Sequence, residues 1–280
     1  MSEIAISSED FGKFREFFYR QTGIHFDESK RYFVDKRLAE RIELSGAETF
    51  RSYFSMLRFQ SSGEELQTLT NLMTVNETYF LREDYQFKCL VASMLPEITA
   101  RKRPGSLVRI WSVPSSSGEE PYSIALYLLE LWPEIARWDV EIISSDIDTS
   151  ILAKARAGRY SARSVQHVPA ELLHKHFTAL PGGEYQLSDE LRQCVEFTRV
   201  NLAEPMDTRA YRNFDVVFCR NLLIYFDDLS RRKAAEVLFD ALNPGGFICL
   251  GHSESMSRIT SLFRVRKFPE AIVYQKPETP

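Results

Sequence analysis

Cysteine is scarce in this chain of 280 residues. The four cysteines, Cys89, Cys194, Cys219 and Cys249, are widely separated and form no C-x-x-C pair. Because disulfide frameworks and structural zinc sites need paired or clustered cysteines, neither is expected, and the sequence predicts no metal site. The four thiols are therefore expected to be reduced and mostly buried.

Long apolar runs and an excess of basic residues are also missing. No stretch approaches the ~18 apolar residues of a membrane span, and the first ten residues, MSEIAISSED, lack the basic and apolar regions of a secretory signal. The 35 basic and 39 acidic residues give a net charge of −4, which disfavours nucleic-acid binding through bulk charge. We therefore expect a cytoplasmic protein with no direct membrane insertion and no nucleic-acid partner.

The stretch from Arg109 to Leu128, RIWSVPSSSGEEPYSIALYL, carries the clearest structural signal. Residues 108–111 form a short β-branched and aromatic run that predicts a buried strand, and residues 115–118, SSSG, suit a tight turn close to a ligand. Pro121 is expected to open the next helix, since proline in a first turn gives up an amide hydrogen that has no partner there. This order of elements indicates a nucleotide-type α/β domain with its ligand at the carboxyl end of the strand.

The charge of this turn indicates the kind of ligand. Glu119 and Glu120 lie where a dinucleotide pyrophosphate would need bare amides and no negative charge, and the G-x-G-x-x-G motif is absent. Acidic side chains suit a cation such as S-adenosylmethionine (SAM), which carries an ammonium and a sulfonium. The alternative is that both glutamates only favour the helix dipole, and the turn by itself leaves both interpretations open.

Residues 7 to about 75 are expected to form a small bundle of helices. Ser7 or Ser8 can cap the first helix, and Gly23 can end it. The apolar rows expected to pack together are Phe11, Phe14 and Phe18; Val34, Leu38 and Ile42; Phe50, Phe54 and Leu57; and Leu66, Leu69 and Met73.

The second helix, from about Asp27 to Gly46, also shows a basic edge. Lys30, Arg37 and Arg41 fall in one row beside its apolar stripe. Such a row is either simply solvated or faces an acidic partner, and the pattern alone leaves both open.

The segment NETYFLR, residues 76–82, lies between the predicted bundle and the first strand. It could be a helix N-cap with its hydrophobic staple. Its position also allows it to fold over the ligand crevice. A helix to about Ala100 and a basic turn, RKRPG, are expected to lead from it into the first strand.

The rest of the chain alternates strands and helices in the manner of a doubly wound sheet. The second strand begins near Trp138 and ends in SSDID, where Asp146 is the candidate for bonding ribose hydroxyls, and Asp146 or Asp148 could cap the next helix. Regularity drops between Gly158 and Glu190, which predicts an insertion. The other predicted elements are a helix over 170–177, a hairpin turned at 181–183, strands over 195–200, 214–221 and 247–250, a helix over 230–242, a turn over 243–246, and an antiparallel hairpin over 263–268 and 271–274.

Six segments carry a family resemblance: NETYFLRE (76–83), WSVPSSSGEEPYSIA (111–125), SSDIDTSILAKARAGRY (144–160), VNLAEP (200–205), FDVVFCRNLLIYFD (214–227) and LNPGGFICLGHSES (242–255). Over nearly its whole length, the chain closely resembles the CheR family, the SAM-dependent glutamate O-methyltransferases of bacterial chemoreceptors. The resemblance implies an α/β protein in three parts. These are an all-α N-terminal domain (1–75), a linker that contributes to the cofactor site (76–90), and a Rossmann-like class I methyltransferase domain (91–280) with a small antiparallel β subdomain inserted at about 160–192.

The implied activity is methyl transfer from SAM to receptor glutamates, which forms methyl esters in chemotactic adaptation and leaves S-adenosylhomocysteine (SAH). Arg82 and Tyr225 are the implied catalytic residues, and both would orient the substrate. The basic edge lies on the helix that in this family meets the acidic methylation helices of the receptor, which favours Lys30, Arg37 and Arg41 as substrate-binding residues. The implied cofactor contacts are Asn76, Thr78 and Arg82 from the linker, Glu120 at the ammonium, Asp146 at the ribose, and Asn201, Leu202, Arg220 and Asn221 around the adenine and the floor.

Two departures from the family pattern accompany this resemblance. Family members often have small residues in place of Val113 and Pro114, and a proline removes an amide beside the cofactor. The loop at 180–185 is short, whereas some members use a longer one to grip a C-terminal receptor pentapeptide, so we expect a member that needs no such tether. We also expect a monomer.

Two alternatives remain at this stage. The first is a catalytically weak scaffold that binds SAM or SAH. The second is a nucleic-acid methyltransferase. Such enzymes commonly carry an N/D-P-P-Y motif after the fourth strand, and this chain has RNLLIYF (220–226) there instead, which disfavours that function.

Overall fold

The computed structural model describes residues 6–278, and its first part is all-helical. It contains α1 (Ser8–Thr22), α2 (Arg31–Leu44), α3 (Phe50–Phe59) and α4 (Glu64–Met73). The Ser7 hydroxyl caps α1 by accepting a hydrogen bond from the Asp10 amide, and Gly23 ends it with a φ of 73°. Residues 1–5 and 279–280 lie outside the described residues. They include the first half of MSEIAISSED, where no secretory signal is expected, and the outer ends of the predicted first and last domains.

The helical part has its own apolar core, packed as the sequence predicts. The phenylalanine row of α1 and the Val34, Leu38 and Ile42 row of α2 are buried together with Tyr53 and Leu57 of α3. Phe18 stacks on Phe26, with ring centroids 5.7 Å apart. The predicted all-α start of the chain is confirmed.

A helical stretch beneath the sheet joins this bundle to the first strand. It comprises α5 (Tyr85–Cys89), a π-helical turn (Leu90–Met94) and α6 (Leu95–Thr99). Its apolar face, which includes Phe87 and Met94, packs in one core with Val108 and Ile110 of the first strand. This stretch therefore fixes where the preceding linker meets the sheet.

A seven-stranded mixed sheet forms the centre of the second part, in the order β6-β2-β1-β7-β8-β10-β9. The first five strands in this order are parallel, and β9 and β10 add an antiparallel hairpin at one edge. This confirms the Rossmann-like class predicted from the sequence. The strands of the sheet are β1 (Leu107–Ser112), β2 (Asp139–Asp146), β6 (Val195–Arg199), β7 (Phe214–Cys219), β8 (Leu242–Leu250), β9 (Arg264–Lys267) and β10 (Ile272–Gln275).

Helices cover both faces of this sheet, and each face has an apolar core. On one face, side chains of α7 and α8 pack against Ile110 and Phe218. On the other, α13 packs against Trp111 and Val217. The helices are α7 (Glu119–Leu131), α8 (Thr149–Ala157), α9 (Ala162–Val165), α10 (Ala170–His176), α11 (Asp189–Gln193), α12 (Pro205–Thr208) and α13 (Asp228–Ala241).

A small antiparallel sheet is inserted between α8 and β6. Its strands are β3 (Arg159–Ser161), β4 (Phe177–Ala179) and β5 (Glu184–Leu187), in the order β3-β5-β4. The turn between β4 and β5 falls at Pro181–Gly183, and the Leu180 amide donates to the Glu184 carbonyl across it. The predicted inserted hairpin is confirmed.

Two local predictions were wrong. The helix expected to open at Pro121 begins at Glu119, directly after Gly118, whose φ is 95°. The turn expected over residues 243–246 belongs to β8, where a bulge shifts the pairing with β7 between Phe214 and Val216. Here Gly246 is required because a Cβ atom would lie 2.9 Å from the Asn243 carbonyl oxygen.

The parallel strands end together at one edge of the sheet, where the loops after β1, β2, β6 and β7 meet. The helical part and the linker also reach this edge, since Ile24 forms an isolated antiparallel bridge with Phe226. None of the helices within the described chain combines the length and apolarity that a bilayer crossing requires.

Candidate functional site

A cavity of about 400 Å³ opens at the carboxyl edge of the sheet, where ligands bind in this class of fold. Loops of the sheet form its floor, the linker forms one wall, and the connection between α1 and α2 forms another. Its lining includes eleven of the predicted site residues: Lys30, Asn76, Thr78, Arg82, Glu120, Asp146, Asn201, Leu202, Arg220, Asn221 and Tyr225.

Asp146 is the last residue of β2 and is almost fully buried. Its carboxylate accepts hydrogen bonds from the Ser116 amide at 2.8 Å and the Asp148 amide at 2.9 Å. Burial raises the pKa of Asp146 to about 6, although these backbone donors oppose the shift. A buried carboxylate held in this way presents a fixed acceptor to a ligand hydroxyl.

The two adjacent glutamates of α7 have different surroundings. Glu120 lines the cavity and accepts hydrogen bonds from the Ser112 hydroxyl at 2.8 Å and Arg220 Nη1 at 3.0 Å. Glu119 instead accepts hydrogen bonds from the Ser117 and Ser164 hydroxyls, both at 2.7 Å, and does not line the cavity. Burial raises the pKa of both carboxyls, and in Glu120 the Arg220 charge opposes it. Of the two glutamates at this turn, Glu120 therefore faces the cavity and Glu119 does not.

Arg220 connects the floor of the cavity to the linker. Its side chain is only 2% exposed and forms ion pairs with Glu120 at 3.0 Å and with Glu83 at 3.3 Å. It also donates to the Arg82 carbonyl oxygen and leaves its Nε without a partner. Arg220 therefore pairs with both carboxylates, so that neither Glu83 nor Glu120 is buried without a cation.

The linker is fixed at its middle by apolar packing. Phe80 is fully buried, and its ring forms T-shaped, edge-to-face contacts with Tyr160 and Phe177, with centroids 4.7 Å and 5.1 Å away. Next to it, Leu81 and Glu83 have positive φ values of 62° and 55°, a conformation that costs energy in residues other than glycine. Such backbone strain is typical of functional sites, and here it lies directly on either side of Arg82.

Arg82 and Tyr225 both line the cavity and are partly exposed to solvent. Arg82 donates to the Glu77 carbonyl oxygen at 3.1 Å. Tyr225 belongs to a 3-10 turn, Leu223–Tyr225, and its side chain is partly exposed, while burial of its hydroxyl raises its pKa. The Tyr225 carbonyl accepts a hydrogen bond from the His25 amide, so the helical part contacts this turn directly.

The polar side chain of Asn76 is committed to the protein in this structure. Its Nδ2 donates to Asp148 Oδ2 at 2.9 Å and to the Thr74 hydroxyl at 3.0 Å. Asp148 also caps α8, since its Oδ1 accepts from the Ser150 and Ile151 amides. Asp148 therefore fastens the start of the linker to the α/β part of the chain, and it is Asp148 rather than Asp146 that caps the helix.

Asn201 and Leu202 close the cavity on the side of β6. Asn201 donates through Nδ2 to the Gln21 carbonyl oxygen at 2.6 Å, at the end of α1. Leu202 is buried, and Thr22, Ile24 and Phe26 of the helical part line the cavity as well. These contributions of the α1–α2 connection were not predicted, because they pair residues far apart in the chain.

Two of the three members of the predicted basic edge of α2 bind groups within the helical part. Arg41 forms a bidentate ion pair with the buried Glu65, at 2.9 Å and 2.7 Å. Arg37 donates to the Leu72 and Phe33 carbonyl oxygens and lies over the Phe33 ring, and burial lowers its pKa. Both arginines hold the helical part together, and only Lys30 is exposed at the rim of the cavity.

Two residues that support the site were missed although they lie in segments that carried the family resemblance. Glu83 ends NETYFLRE, and Glu254 lies within the final segment. Glu254 accepts the amides of Asn221 and Leu223 in the loop that leads to Tyr225. The signal for both was the motif itself, whereas their partners became visible only in three dimensions.

The charges of the cavity fit SAM. The carboxylates of Glu120 and Asp146 face a space that an ammonium and a ribose require, and the buried Ser115 hydroxyl in its lining has no partner within the structure. Pro114 also lines the cavity, after a cis peptide bond, but the following amides of Ser115 and Ser116 still bind Ser145 and Asp146. Within residues 6–278, no group of three or more His, Cys, Asp or Glu side chains could hold a metal ion.

Comparison with known proteins gives consistent matches along the chain. A family model described as CheR methyltransferase, SAM binding domain, matches residues 76–272, and one described as CheR methyltransferase, all-alpha domain, matches residues 9–74. Chemotaxis protein methyltransferase 2 of Vibrio cholerae is 57% identical over 277 residues, 99% of this chain and 96% of that protein. Chemotaxis protein methyltransferase 2 of Pseudomonas aeruginosa is 39% identical over 94% of this chain and 92% of its own length. The chemotaxis protein methyltransferase of Salmonella typhimurium is 35% identical over 94% of this chain and 89% of its own length.

Proposed function

This chain belongs to the CheR methyltransferase family, and we propose that it methylates glutamate side chains of bacterial chemoreceptors. It is a SAM-dependent methyltransferase of chemotaxis, and a catalytically weak scaffold is not favoured. One observation carries the proposal for the acceptor. The guanidinium of Arg82 and the hydroxyl of Tyr225 line the same cavity as the carboxylates assigned to the cofactor.

The cofactor roles follow from the charge and position of each residue. We assign the ammonium of SAM to Glu120 and the ribose hydroxyls to Asp146, with the linker residues Asn76 and Thr78 beside them. Asn201, Leu202 and Asn221 surround the adenine and the floor. When bound, SAM supplies an electrophilic methyl carbon on a sulfonium. Arg220 acts from below, because its ion pair orients the Glu120 carboxylate.

The acceptor needs alignment rather than deprotonation. A glutamate carboxylate is already ionised at neutral pH, so no general base is required. Arg82 and Tyr225 orient it through a charge-assisted hydrogen bond and a hydroxyl donor, and the surrounding walls exclude water. Too tight an ion pair would hold the nucleophile back, which is why we assign Arg82 an orienting role.

The partner face lies at the rim of the cavity. Lys30 is exposed there, beside His25 of the α1–α2 connection, and these groups suit the acidic methylation helices of a receptor. We no longer assign Arg37 and Arg41 to this contact, since both bind within the helical part.

Several finer points complete the proposal. We place the helical domain at residues 1–75, the linker at 76–90 and the methyltransferase domain at 91–280. The turn of residues 180–183 is short, which supports recognition without a pentapeptide tether. We propose a monomer that acts in the cytoplasm without a nucleic-acid partner. The four free cysteines are in keeping with a reducing compartment.

A labelled-methyl assay tests this function. Cytoplasmic receptor fragments, with and without their C-terminal tails, are incubated with the protein and SAM labelled in the methyl group. We expect transfer to both forms, and a loss of about a hundredfold in turnover for Arg82→Ala, since positioned charge is worth several kcal/mol in such sites. Arg103→Ala, at an exposed arginine outside the cavity, is the matched control. Binding of SAH without any transfer would support the scaffold instead, and activity of Arg82→Ala close to wild type would remove Arg82 from the site.

A further inference from the structure

Glu254 lies outside the cavity, in the loop after β8, but its side chain reaches the loop after β7. Glu254 Oε2 accepts hydrogen bonds from the Asn221 amide at 2.7 Å and the Gly251 amide at 2.9 Å. Its Oε1 accepts from the Leu223 amide at 2.8 Å. One carboxylate therefore joins two loops through backbone groups only.

No cation balances this carboxylate among the ion pairs of residues 6–278. Burial raises the pKa of Glu254, and the amides of Asn221, Gly251, Leu223 and Ile224 oppose the shift. A buried charge without an ion partner is retained only where several hydrogen bonds satisfy it. Here those bonds all come from backbone amides, so the carboxylate and the loop conformation depend on each other.

The two loops approach unusually closely at this point. A Cβ atom on Gly251 would lie 2.6 Å from Asn221 Nδ2 and 3.0 Å from Glu254 Oε2, so a larger residue there would have to displace these side chains. Asn221 itself has a φ of 58°, a left-handed conformation that asparagine adopts more readily than most residues. The Glu254 bond to its amide helps to hold the chain in this conformation.

The loop held by Glu254 carries the residue that faces the acceptor. After Asn221, the chain enters the 3-10 turn Leu223–Tyr225, whose first amides have no partners within the turn. Glu254 supplies the acceptor for them, as a capping residue does for a longer helix. Tyr225, at the end of this turn, borders the cavity opening.

We propose that Glu254 is a positioning residue for methyl transfer, which caps the Leu223–Tyr225 turn and thereby sets the position of the Tyr225 hydroxyl over the acceptor carboxylate. This inference rests on the proposed function, because it assigns Tyr225 to the substrate. It acts through Tyr225. Of the proposed cofactor residues, Glu254 binds only Asn221, through its backbone amide, and the others lie on the linker, β2, α7 and the loops after β6 and β7.

The test uses Glu254→Gln, which keeps the shape but turns one acceptor into a donor that faces backbone donors. We expect kcat for receptor methylation to fall about tenfold, with the Kd for SAH changed less than about threefold. Glu254→Asp keeps the charge on a shorter side chain and should recover part of the lost kcat. Glu236→Gln, on an exposed position of α13, is the matched control and should equal wild type.

A double-mutant cycle with Tyr225→Phe separates positioning from general damage. If Glu254 acts through Tyr225, Glu254→Gln should lower kcat less than about twofold in the Tyr225→Phe background. The inference would be overturned if Glu254→Gln lowered kcat by the same factor in both backgrounds, or if it did not lower kcat in the wild-type background.

Hydrogen exchange of the peptide 220–226 gives a readout that does not need activity. Exchange there should accelerate in Glu254→Gln, and unchanged exchange would equally overturn the inference. If the wild-type chain transfers no methyl at all, the proposed function fails, and exchange alone decides whether Glu254 holds this loop.

Discussion

Asp148 offers the sharpest test of how the linker is held at the cofactor site. It is only 1% exposed, and its two carboxylate oxygens have separate tasks. Oδ1 caps α8 through the Ser150 and Ile151 amides, whereas Oδ2 accepts from Thr74 at 2.7 Å and Asn76 at 2.9 Å. Substitutions can therefore remove the clamp on the linker with or without the cap.

Asp148→Ala removes both tasks. Loss of an N-cap costs about 1 kcal/mol, and each lost hydrogen bond to a charged acceptor costs about 1.5 kcal/mol. We therefore expect the free energy of unfolding to fall by about 4 kcal/mol, as measured by urea denaturation. The Kd for SAH should rise about tenfold, because Asn76 loses its anchor.

Asp148→Asn separates the two effects. Asparagine caps a helix as well as aspartate does, so its oxygen should stay at the α8 amides and its NH₂ should face Asn76. The free energy of unfolding should then fall by about 3 kcal/mol, because the cap is kept but both Oδ2 bonds are lost, while the Kd for SAH rises as much as in Asp148→Ala. Asp139→Asn, at the exposed start of β2, is the matched control. Wild-type affinity for SAH in Asp148→Asn would refute the claim that this clamp organises the cofactor site.

Three further predictions concern the ion pair of the helical part, the ribose carboxylate and the contact between the two parts. Arg41→Ala should lower the free energy of unfolding by about 3 kcal/mol, because it leaves Glu65 buried without its cation. Arg51→Ala, at an exposed arginine, is the control. Weaker receptor methylation at unchanged stability would show instead that Arg41 belongs to the partner surface. The affinity for SAH should fall about tenfold between about pH 7 and pH 5. The pKa of Asp146 is raised to about 6, so at the lower pH its carboxyl is largely protonated in the free protein and is a poorer hydrogen-bond acceptor. Titration calorimetry of Asp146→Asn should show no such pH dependence, and a dependence that persists would assign the effect to another group. Tyr19→Phe loses the bonds of the Tyr19 hydroxyl to Asp227 and Ser230 beside the Tyr225 turn, so kcat should fall about threefold with SAH binding unchanged; an unchanged kcat would show that this contact does not support the turn.

Local patterns predicted the elements of the fold well. The cap at Ser7, the end at Gly23 and the phenylalanine row of α1 depend on residues close together in the chain, and all were confirmed. The inserted hairpin and the final antiparallel hairpin were also readable, because turn residues separate their strands. The turn at 243–246 failed because a bulged strand and a turn use the same residues.

The partners of individual charged side chains could not be predicted in the same way. Helical spacing correctly placed Arg41 beside the apolar stripe, but its partner Glu65 lies on another helix. Likewise Glu119 and Glu120 are neighbours in the chain, and a hydroxyl from the inserted subdomain, Ser164, takes one of them away from the cavity. Such pairings depend on tertiary packing, which no local pattern contains.

The central claim is that the acceptor is a glutamate carboxylate, and mapping the transferred methyl on a receptor fragment tests it most directly. Tandem mass spectrometry of the fragment after reaction with labelled SAM should locate the methyl on glutamate side chains, as an ester that mild base removes. A base-stable methyl on another residue type, or no methyl on any receptor fragment despite SAH binding, would contradict the account.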